Sequence, residues 1–256
     1  MSVAHDKYLA WKQQRNAIPL GLHPHTSALM LIDMQAYFLH PQSPYACVLA
    51  TQMPGLREAL EERTRAVVVP ALQRLLACFR THHVPVMYTT VASERADGRD
   101  LAHHFQQGNA AALATIQAVS CPPRSDAWAQ IVAPLAPHPD ELVLNKTTHS
   151  AFASTGLDRT LRHMGIETLV IGGVVTNVCV EITARDAADF GYQVILVEDG
   201  CAGYSPESHE ATLLAFQGAF GRVRKADEVI TLLAEAGAQA GEKAVVTTHA
   251  GVPSPG

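Results

Sequence analysis

Residues 168–192 read TLVIGGVVTNVCVEITARDAADFGY, and this stretch predicts a buried strand followed at once by a helix. Its first four residues form an apolar run that ends in two glycines, a pattern typical of a fully buried parallel strand. Apolar residues then recur at helical spacing up to Gly191, and Thr176 or Asn177 is the expected helix cap. A strand that leads directly into a helix indicates an α/β fold built on a parallel sheet.

The same stretch places Cys179 in the first turn of the predicted helix. Unpaired backbone N–H groups and the positive end of the helix dipole favour a thiolate over a thiol at such a position. The same N–H groups suit an oxyanion. A lone cysteine among valines is more often a small core residue than a nucleophile, so its interpretation depends on what other segments bring to the same place.

Two further predicted strands end close to charged residues. Asp33 directly follows the apolar run 28–32, and Lys146 comes just after the strand predicted at 141–145. At the carboxyl edge of a parallel sheet, a carboxylate can act as a base and an ammonium can stabilise negative charge. Taken singly, the aspartate could equally cap a turn and the lysine could be solvated. With Cys179 they form the set that an activated cysteine nucleophile requires.

Together the three segments resemble a known family, the isochorismatase-like cysteine hydrolases, which includes nicotinamidases, N-carbamoylsarcosine amidases, biuret hydrolases and ureidoacrylate amidohydrolases. The resemblance covers residues 27–233 and rests on LIDMQ around Asp33, KTTHSAF from Lys146 and GVVTNVCVEITARDA around Cys179. It implies one domain with a doubly wound parallel sheet and helices on both faces, a Rossmann-type three-layer fold. It further implies that Asp33 accepts the thiol proton, Cys179 attacks the substrate and Lys146 supports the thiolate.

The resemblance also implies a non-proline cis peptide bond between Val174 and Val175. Such a bond would turn the Val175 N–H toward the reacting carbonyl, where it would form an oxyanion hole with the N–H of Cys179. Isochorismatases proper resemble this chain but carry glycine at the cysteine position and cleave a vinyl ether. The cysteine therefore indicates acyl chemistry.

Nicotinamidases carry an Asp-x-His metal cluster after the second strand, and this chain lacks that spacing. Residues 92–105 read ASERADGRDLAHHF, in which His103 and His104 are adjacent. On a helix, adjacent side chains point about 100° apart and do not share a face as an i, i+4 pair would. We therefore predict no bound metal and no other cofactor.

Five further residues are candidates for contact with a substrate, and each has a structural alternative. Gln35 either points its amide at the substrate or belongs to a turn. His149, at a position where relatives often carry tyrosine, either hydrogen-bonds a substrate carbonyl or caps the next turn. Phe38, Phe105 and Phe152 either wall the pocket or belong to the core.

Substrate specificity is expected in the irregular segments 36–56 and 92–124. Within the second segment, Arg95 and Arg99 are the basic candidates for binding a substrate carboxylate. Solvation is the commoner fate of such arginines.

Composition narrows the class of partner. The 256 residues carry a net charge of -5 and 17% charged side chains without a basic stripe, which argues against nucleic acid and favours a small-molecule substrate. Five cysteines, an odd number without paired metal spacing, suit a reducing compartment. Neither a signal peptide nor a membrane span is evident, so we expect a cytoplasmic protein without membrane contact. We also expect a homo-oligomer, either a dimer or a tetramer.

The chain divides into an N-terminal arm at 1–26, a hydrolase domain at 27–236 and a mobile C-terminal tail at 237–256. The sequence leaves open whether the arm packs on its own domain or on a neighbouring subunit. The function predicted is cysteine-dependent hydrolysis of a carbon–nitrogen bond in a small amide, urea-type or carbamoyl compound through a thioester-type intermediate. The alternatives are a nicotinamidase-type aromatic amide hydrolase and a catalytically silent binding or scaffold protein of the same fold.

Overall fold

A single sheet of six parallel strands organises the chain. The computed structural model describes residues 3–236, so the tail predicted to be mobile lies outside the described residues. The strands are β1 Ser27–Ile32, β2 Val86–Val91, β3 Leu142–Lys146, β4 Thr168–Val174, β5 Gln193–Ala202 and β6 Arg222–Arg224. Their order is β3-β2-β1-β4-β5-β6, with every neighbouring pair parallel. The order reverses between β1 and β4, and open α/β sheets bind ligands at this switch point.

Helices cover both faces of this sheet. They are α1 Val3–Ala17, α2 Ala36–Leu39, α3 Pro44–Gln52, α4 Leu56–Arg63, α5 Val69–Thr81, α6 His103–Ile116, α7 Leu157–His163, α8 Glu181–Asp189, α9 Pro206–Phe216 and α10 at 226–236. The predicted doubly wound sheet with helices on both faces is confirmed. Among the helices within 3–236, none is both long enough and apolar enough to cross a membrane.

Alternate residues of the central strands belong to two different apolar cores. Leu29 and Leu31 pack in the core that α5 and α10 cover, whereas Met30 and Ile32 pack in the core beneath α7, α8 and α9. All six residues of β1 are buried. A strand buried on both faces needs apolar side chains at every position, which explains the uninterrupted apolar sequence of β1.

The glycine pair at the end of β4 permits close approach of β4 to β1. Gly173 has a φ of 132°, and a Cβ at this residue would lie 2.1 Å from the backbone oxygen of Ile32. No side chain can be accommodated at that distance. The end of β4 can therefore lie beside the end of β1 only with glycine at this position.

Two π-helical turns occur among the helices of residues 3–236. The first, at Thr64–Val68, joins α4 to α5. The helix after β4 begins with a second π-helical turn at Thr176–Val180, and its N-cap is Val175 without a side-chain cap bond. Thr176 does not cap it, because its hydroxyl is hydrogen-bonded to Nδ1 of His209 at 2.9 Å.

The first helix packs against its own domain. The ammonium of Lys12 is buried and donates to the backbone oxygens of Leu214 and Ala215 at 2.8 Å and of Gln217 at 3.0 Å. These carbonyls lie at the C-terminus of α9, where a cation interacts favourably with the helix dipole. The side chain of Asn16 accepts from the backbone N–H of Val223 at 2.9 Å, which covers part of the edge strand β6.

Candidate active site

The carboxyl ends of β1, β3 and β4 bring three polar side chains together. Asp33 follows β1, Lys146 ends β3, and Cys179 lies in the π-helical turn after β4. The Nζ of Lys146 lies 2.7 Å from Oδ2 of Asp33 and 3.5 Å from Sγ of Cys179. Asp33 and Lys146 are fully buried, and Cys179 is 2% exposed. The ammonium therefore bridges the carboxylate and the thiol, and all three side chains are buried.

Further hydrogen bonds hold the carboxylate and the ammonium in place. The Thr89 hydroxyl donates to Oδ1 of Asp33 at 2.8 Å, and Nζ of Lys146 donates to the backbone oxygen of Thr148 at 3.1 Å. The Asp33 backbone adopts a left-handed φ of 51°, uncommon for a residue other than glycine and frequent at functional sites. Sequence reasoning missed Thr89. Its signal was a pair of threonines within the otherwise apolar strand β2.

Burial controls the protonation of the cysteine. Burial raises the pKa of the Cys179 thiol well above its ordinary value, the nearby ammonium of Lys146 acts against this rise, and the carboxylate of Asp33 adds to it. Burial would lower the pKa of Lys146, but Asp33 and Cys179 together raise it above its ordinary value. At neutral pH the site therefore holds a thiol beside an ammonium. The helix start was expected to favour a thiolate, whereas burial of the Cys179 thiol acts in the opposite direction.

The peptide bond between Val174 and Val175 is cis. Val175 then caps the helix that follows β4 and adopts an extended conformation, with a φ of -94° and a ψ of 138°. Val175 and Cys179 both line a cavity of about 420 Å³, which we call the Cys179 chamber. Their backbones are thus at the same wall, beside the thiol.

Both segments in which specificity was expected contribute to the Cys179 chamber. Its aromatic wall comes from Tyr37, Phe38 and Tyr45 in one segment and from Phe105 in the other. The hydroxyls of Tyr45 and Tyr204 are hydrogen-bonded to each other. Sequence reasoning missed the three tyrosines, since no local pattern distinguishes them from core aromatics.

His149 lies beside the thiol, as its candidacy for substrate contact requires. Its Nδ1 lies 3.7 Å from Sγ of Cys179, and its ring centroid lies 4.5 Å from that of Phe105 and 5.2 Å from that of His104. Burial, and then the neighbouring His104, lower the pKa of His149 below its ordinary value. The imidazole that faces the chamber is therefore neutral at neutral pH.

Two of the candidates for substrate contact have structural roles instead. The amide nitrogen of Gln35 donates to the backbone oxygens of Ala129 at 2.7 Å and Val91 at 3.3 Å, and its oxygen accepts from the Val91 N–H at 2.8 Å. Because both ends of the amide are bonded to backbone, Gln35 joins the end of β2 to the 3-10 turn at Ala127–Ala129 and does not line the chamber. Phe152 stacks on Phe190, with ring centroids 5.1 Å apart, and packs in the core beneath α7, α8 and α9.

The charged residues after β2 lie away from Cys179. Arg95 is paired with Asp97 at 2.8 Å, and both line a separate surface hollow. Arg99 is exposed and lies 3.9 Å from the same aspartate. His103 is exposed at the start of α6. Across residues 3–236, no group of three or more histidine, cysteine, aspartate or glutamate side chains is arranged to hold a metal ion.

The fold and the site match one family of proteins. Residues 27–228 match the family model described as an isochorismatase domain, so the chain belongs to the isochorismatase family of hydrolases. It is 27% identical over 224 residues to ureidoacrylate amidohydrolase RutB of Variovorax paradoxus (strain S110), an alignment that covers 85% of each protein. It is also 27% identical over 210 residues to N-carbamoylsarcosine amidase of Arthrobacter sp, covering 80% of this chain and 70% of the relative.

A solved structure shows the same likeness. The cysteine hydrolase of Pseudomonas syringae pv. phaseolicola 1448A superposes with a TM-score of 0.70 at 26% sequence identity. The superposition covers 85% of this chain and 97% of that protein. The predicted family resemblance is confirmed.

Proposed function

We propose that this protein is a cysteine amidohydrolase that cleaves a carbon–nitrogen bond in a small amide, urea-type or carbamoyl compound. The observation that carries the proposal is the position of the Lys146 ammonium, 2.7 Å from Oδ2 of Asp33 and 3.5 Å from Sγ of Cys179. A base, a cation and a nucleophile within direct reach of one another are what acyl transfer to a thiol requires. The names of the two amidohydrolase relatives support the same reaction class.

In the first half of the reaction, Asp33 accepts the thiol proton as Cys179 attacks the substrate carbonyl carbon. The ammonium of Lys146 stabilises the thiolate that forms. It thereby acts against burial, which raises the pKa of the Cys179 thiol. The backbone N–H groups of Val175 and Cys179 hold the oxyanion of the tetrahedral intermediate. The carbon–nitrogen bond then breaks, and Asp33 returns the proton to the departing ammonia or amine. A thioester, or a thiocarbamate from a urea-type compound, remains on the sulfur.

In the second half, water hydrolyses the thioester. Asp33 takes a proton from the attacking water, and the oxygen adds to the thioester carbon while the same N–H pair holds the oxyanion. The carbon–sulfur bond then breaks, the proton passes to Cys179, and the carboxylic or carbamic acid leaves. The site returns to its starting state of thiol, ammonium and carboxylate.

A nicotinamidase-type aromatic amide hydrolase is the second candidate, and the aromatic wall of the Cys179 chamber favours it. N-carbamoylsarcosine and ureidoacrylate, for which the two relatives are named, are both carboxylates. A catalytically silent binding protein is disfavoured. Burial of Asp33, Lys146 and Cys179 costs desolvation free energy, and a protein without catalytic activity would gain nothing from keeping them buried. A homo-oligomer in the cytoplasm remains part of the proposal, and light scattering of the purified protein measures the oligomeric state.

The test of the proposal is ammonia release across a panel of amides, ureas and carbamoyl acids, combined with intact-protein mass spectrometry. A substrate that turns over should add its acyl mass to the wild-type chain, and Cys179→Ala should abolish both turnover and the adduct. Cys201→Ala is the matched control, since Cys201 is equally buried but lies in β5. An active Cys179→Ala enzyme, or an adduct that persists without this sulfur, would refute the mechanism.

A further inference from the structure

The Cys179 chamber has a wall without fixed charge. Of the described residues that line it, none is arginine, lysine, aspartate or glutamate. Most of the wall is aromatic or aliphatic, and the side chains Phe38, Val48, Leu49, Met53 and Phe105 are typical of it. Such a wall receives an apolar group well and provides no counter-charge for an ion.

The histidine beside the thiol does not supply that counter-charge. His149 faces the thiol with a pKa lowered by burial and by His104. The His104 ring lies 5.2 Å from that of His149. Near neutral pH the imidazole beside Cys179 therefore acts as a neutral hydrogen-bonding group.

Two cations close to this wall are already paired. Lys146 is fully buried against the carboxylate of Asp33. Arg185 lines a shallow hollow that shares His149 with the chamber, but it is bonded to Glu181 at 2.6 Å and 2.9 Å. A carboxylate brought into the chamber would meet no lysine or arginine among the described residues of the wall, and it would approach the negative charge of Asp33.

We propose that the Cys179 chamber selects substrates whose acyl group is uncharged and apolar, and that it rejects acyl groups carrying a carboxylate. This inference rests on the proposed function, because the selectivity of the chamber is substrate specificity only if the protein is an amidohydrolase. Leaving a carboxylate unpaired in such a site is costly enough that kcat/KM should fall at least about a hundredfold relative to a neutral substrate of the same shape.

Alkylation of the thiol tests the charge selectivity of the chamber without requiring turnover. Iodoacetamide and iodoacetate differ by one charge at nearly equal size, and peptide mass spectrometry reports the alkylation rate of each cysteine. The exposed Cys47 serves as an internal control in the same molecule. The ratio of the iodoacetamide rate to the iodoacetate rate should be at least about tenfold larger at Cys179 than at Cys47. Equal ratios at the two cysteines would overturn the proposal.

Substrate pairs then test specificity directly. Ammonia release from para-toluamide and hexanamide should exceed release from their acidic counterparts terephthalamate and adipamate, and a preference for the acids would overturn the inference.

A cation introduced into the wall tests whether charge causes the rejection. Gln52 lines the chamber and is exposed, so Gln52→Arg places a cation in the wall, with Gln52→Met as the neutral control. Only the arginine variant should reduce the ratio of kcat/KM for para-toluamide to kcat/KM for terephthalamate, by about tenfold. An unchanged ratio in the arginine variant would show that the chamber does not reject the carboxylate by its charge.

These measurements separate failure of the inference from failure of the proposed function. Charge-selective alkylation of Cys179 in a protein that releases ammonia from no amide would count against the amidohydrolase function and leave the selectivity of the chamber intact. Turnover of acidic amides at rates equal to those of neutral amides would support the function and refute the selectivity.

Discussion

Replacing Lys146 with methionine should separate the structural role of the buried ion pair from its catalytic role. The substitution leaves the carboxylate of Asp33 fully buried, with the Thr89 hydroxyl as its remaining side-chain partner among the described residues. An unpaired buried charge of this kind costs about 3–5 kcal/mol of unfolding free energy. Asp33→Asn combined with Lys146→Met removes both charges, so most of that loss should be recovered in the double variant.

Activity should behave differently from stability in the same variants. Asp33→Asn and Lys146→Met should each lower turnover at least about a hundredfold, the scale of positioned acid–base catalysis. Because the two groups act on one transition state with Cys179, the double variant should be little less active than either single variant. Stability is then largely restored in the double variant while turnover is not.

Urea unfolding at equilibrium and ammonia release measure the two quantities. The exposed ion pair of Arg74 and Asp227, 3.3 Å apart, provides a matched control. Arg74→Met with Asp227→Asn should change the unfolding free energy by less than about 1 kcal/mol and leave turnover unchanged. If the stability losses at Asp33 and Lys146 simply add, or if their effects on turnover multiply, the two residues do not act as one unit with Cys179.

Two further predictions concern metal and pH. Exhaustive chelation should leave activity unchanged, because the chain lacks the Asp-x-His spacing, and a stoichiometric metal lost together with activity would contradict this. Burial and the neighbouring Arg63 lower the pKa of His209 to about 4, against about 6.5 in an unfolded chain. The unfolded chain therefore binds the proton more tightly, and the wild type should lose about 3 kcal/mol of unfolding free energy as the pH falls from about 6.5 to about 4. The His209→Gln variant should lose less unfolding free energy over this pH range, and the variant of an exposed histidine, His163→Gln, should lose as much as the wild type. Equal losses in all three proteins would show that His209 is not the group responsible.

The sequence alone determined the elements whose signal is local. The apolar runs of β1 and β4 predict buried parallel strands because side chains on both faces of such strands must be apolar. Since parallel strands end at the same edge of a sheet, the positions of Asp33, Lys146 and Cys179 relative to their strands were sufficient to predict that they meet.

Only the tertiary structure decided how those side chains are used, because burial and hydrogen bonding depend on residues that are distant in the chain. Gln35 lies next to the catalytic motif, yet its amide is bonded to Val91 and Ala129, 56 and 94 residues away. Cys179 lies at a helix start that favours a thiolate, yet its burial raises the thiol pKa. The neutral wall of the Cys179 chamber likewise arises only when two separate segments fold over one sulfur atom, and no local pattern in either segment encodes it.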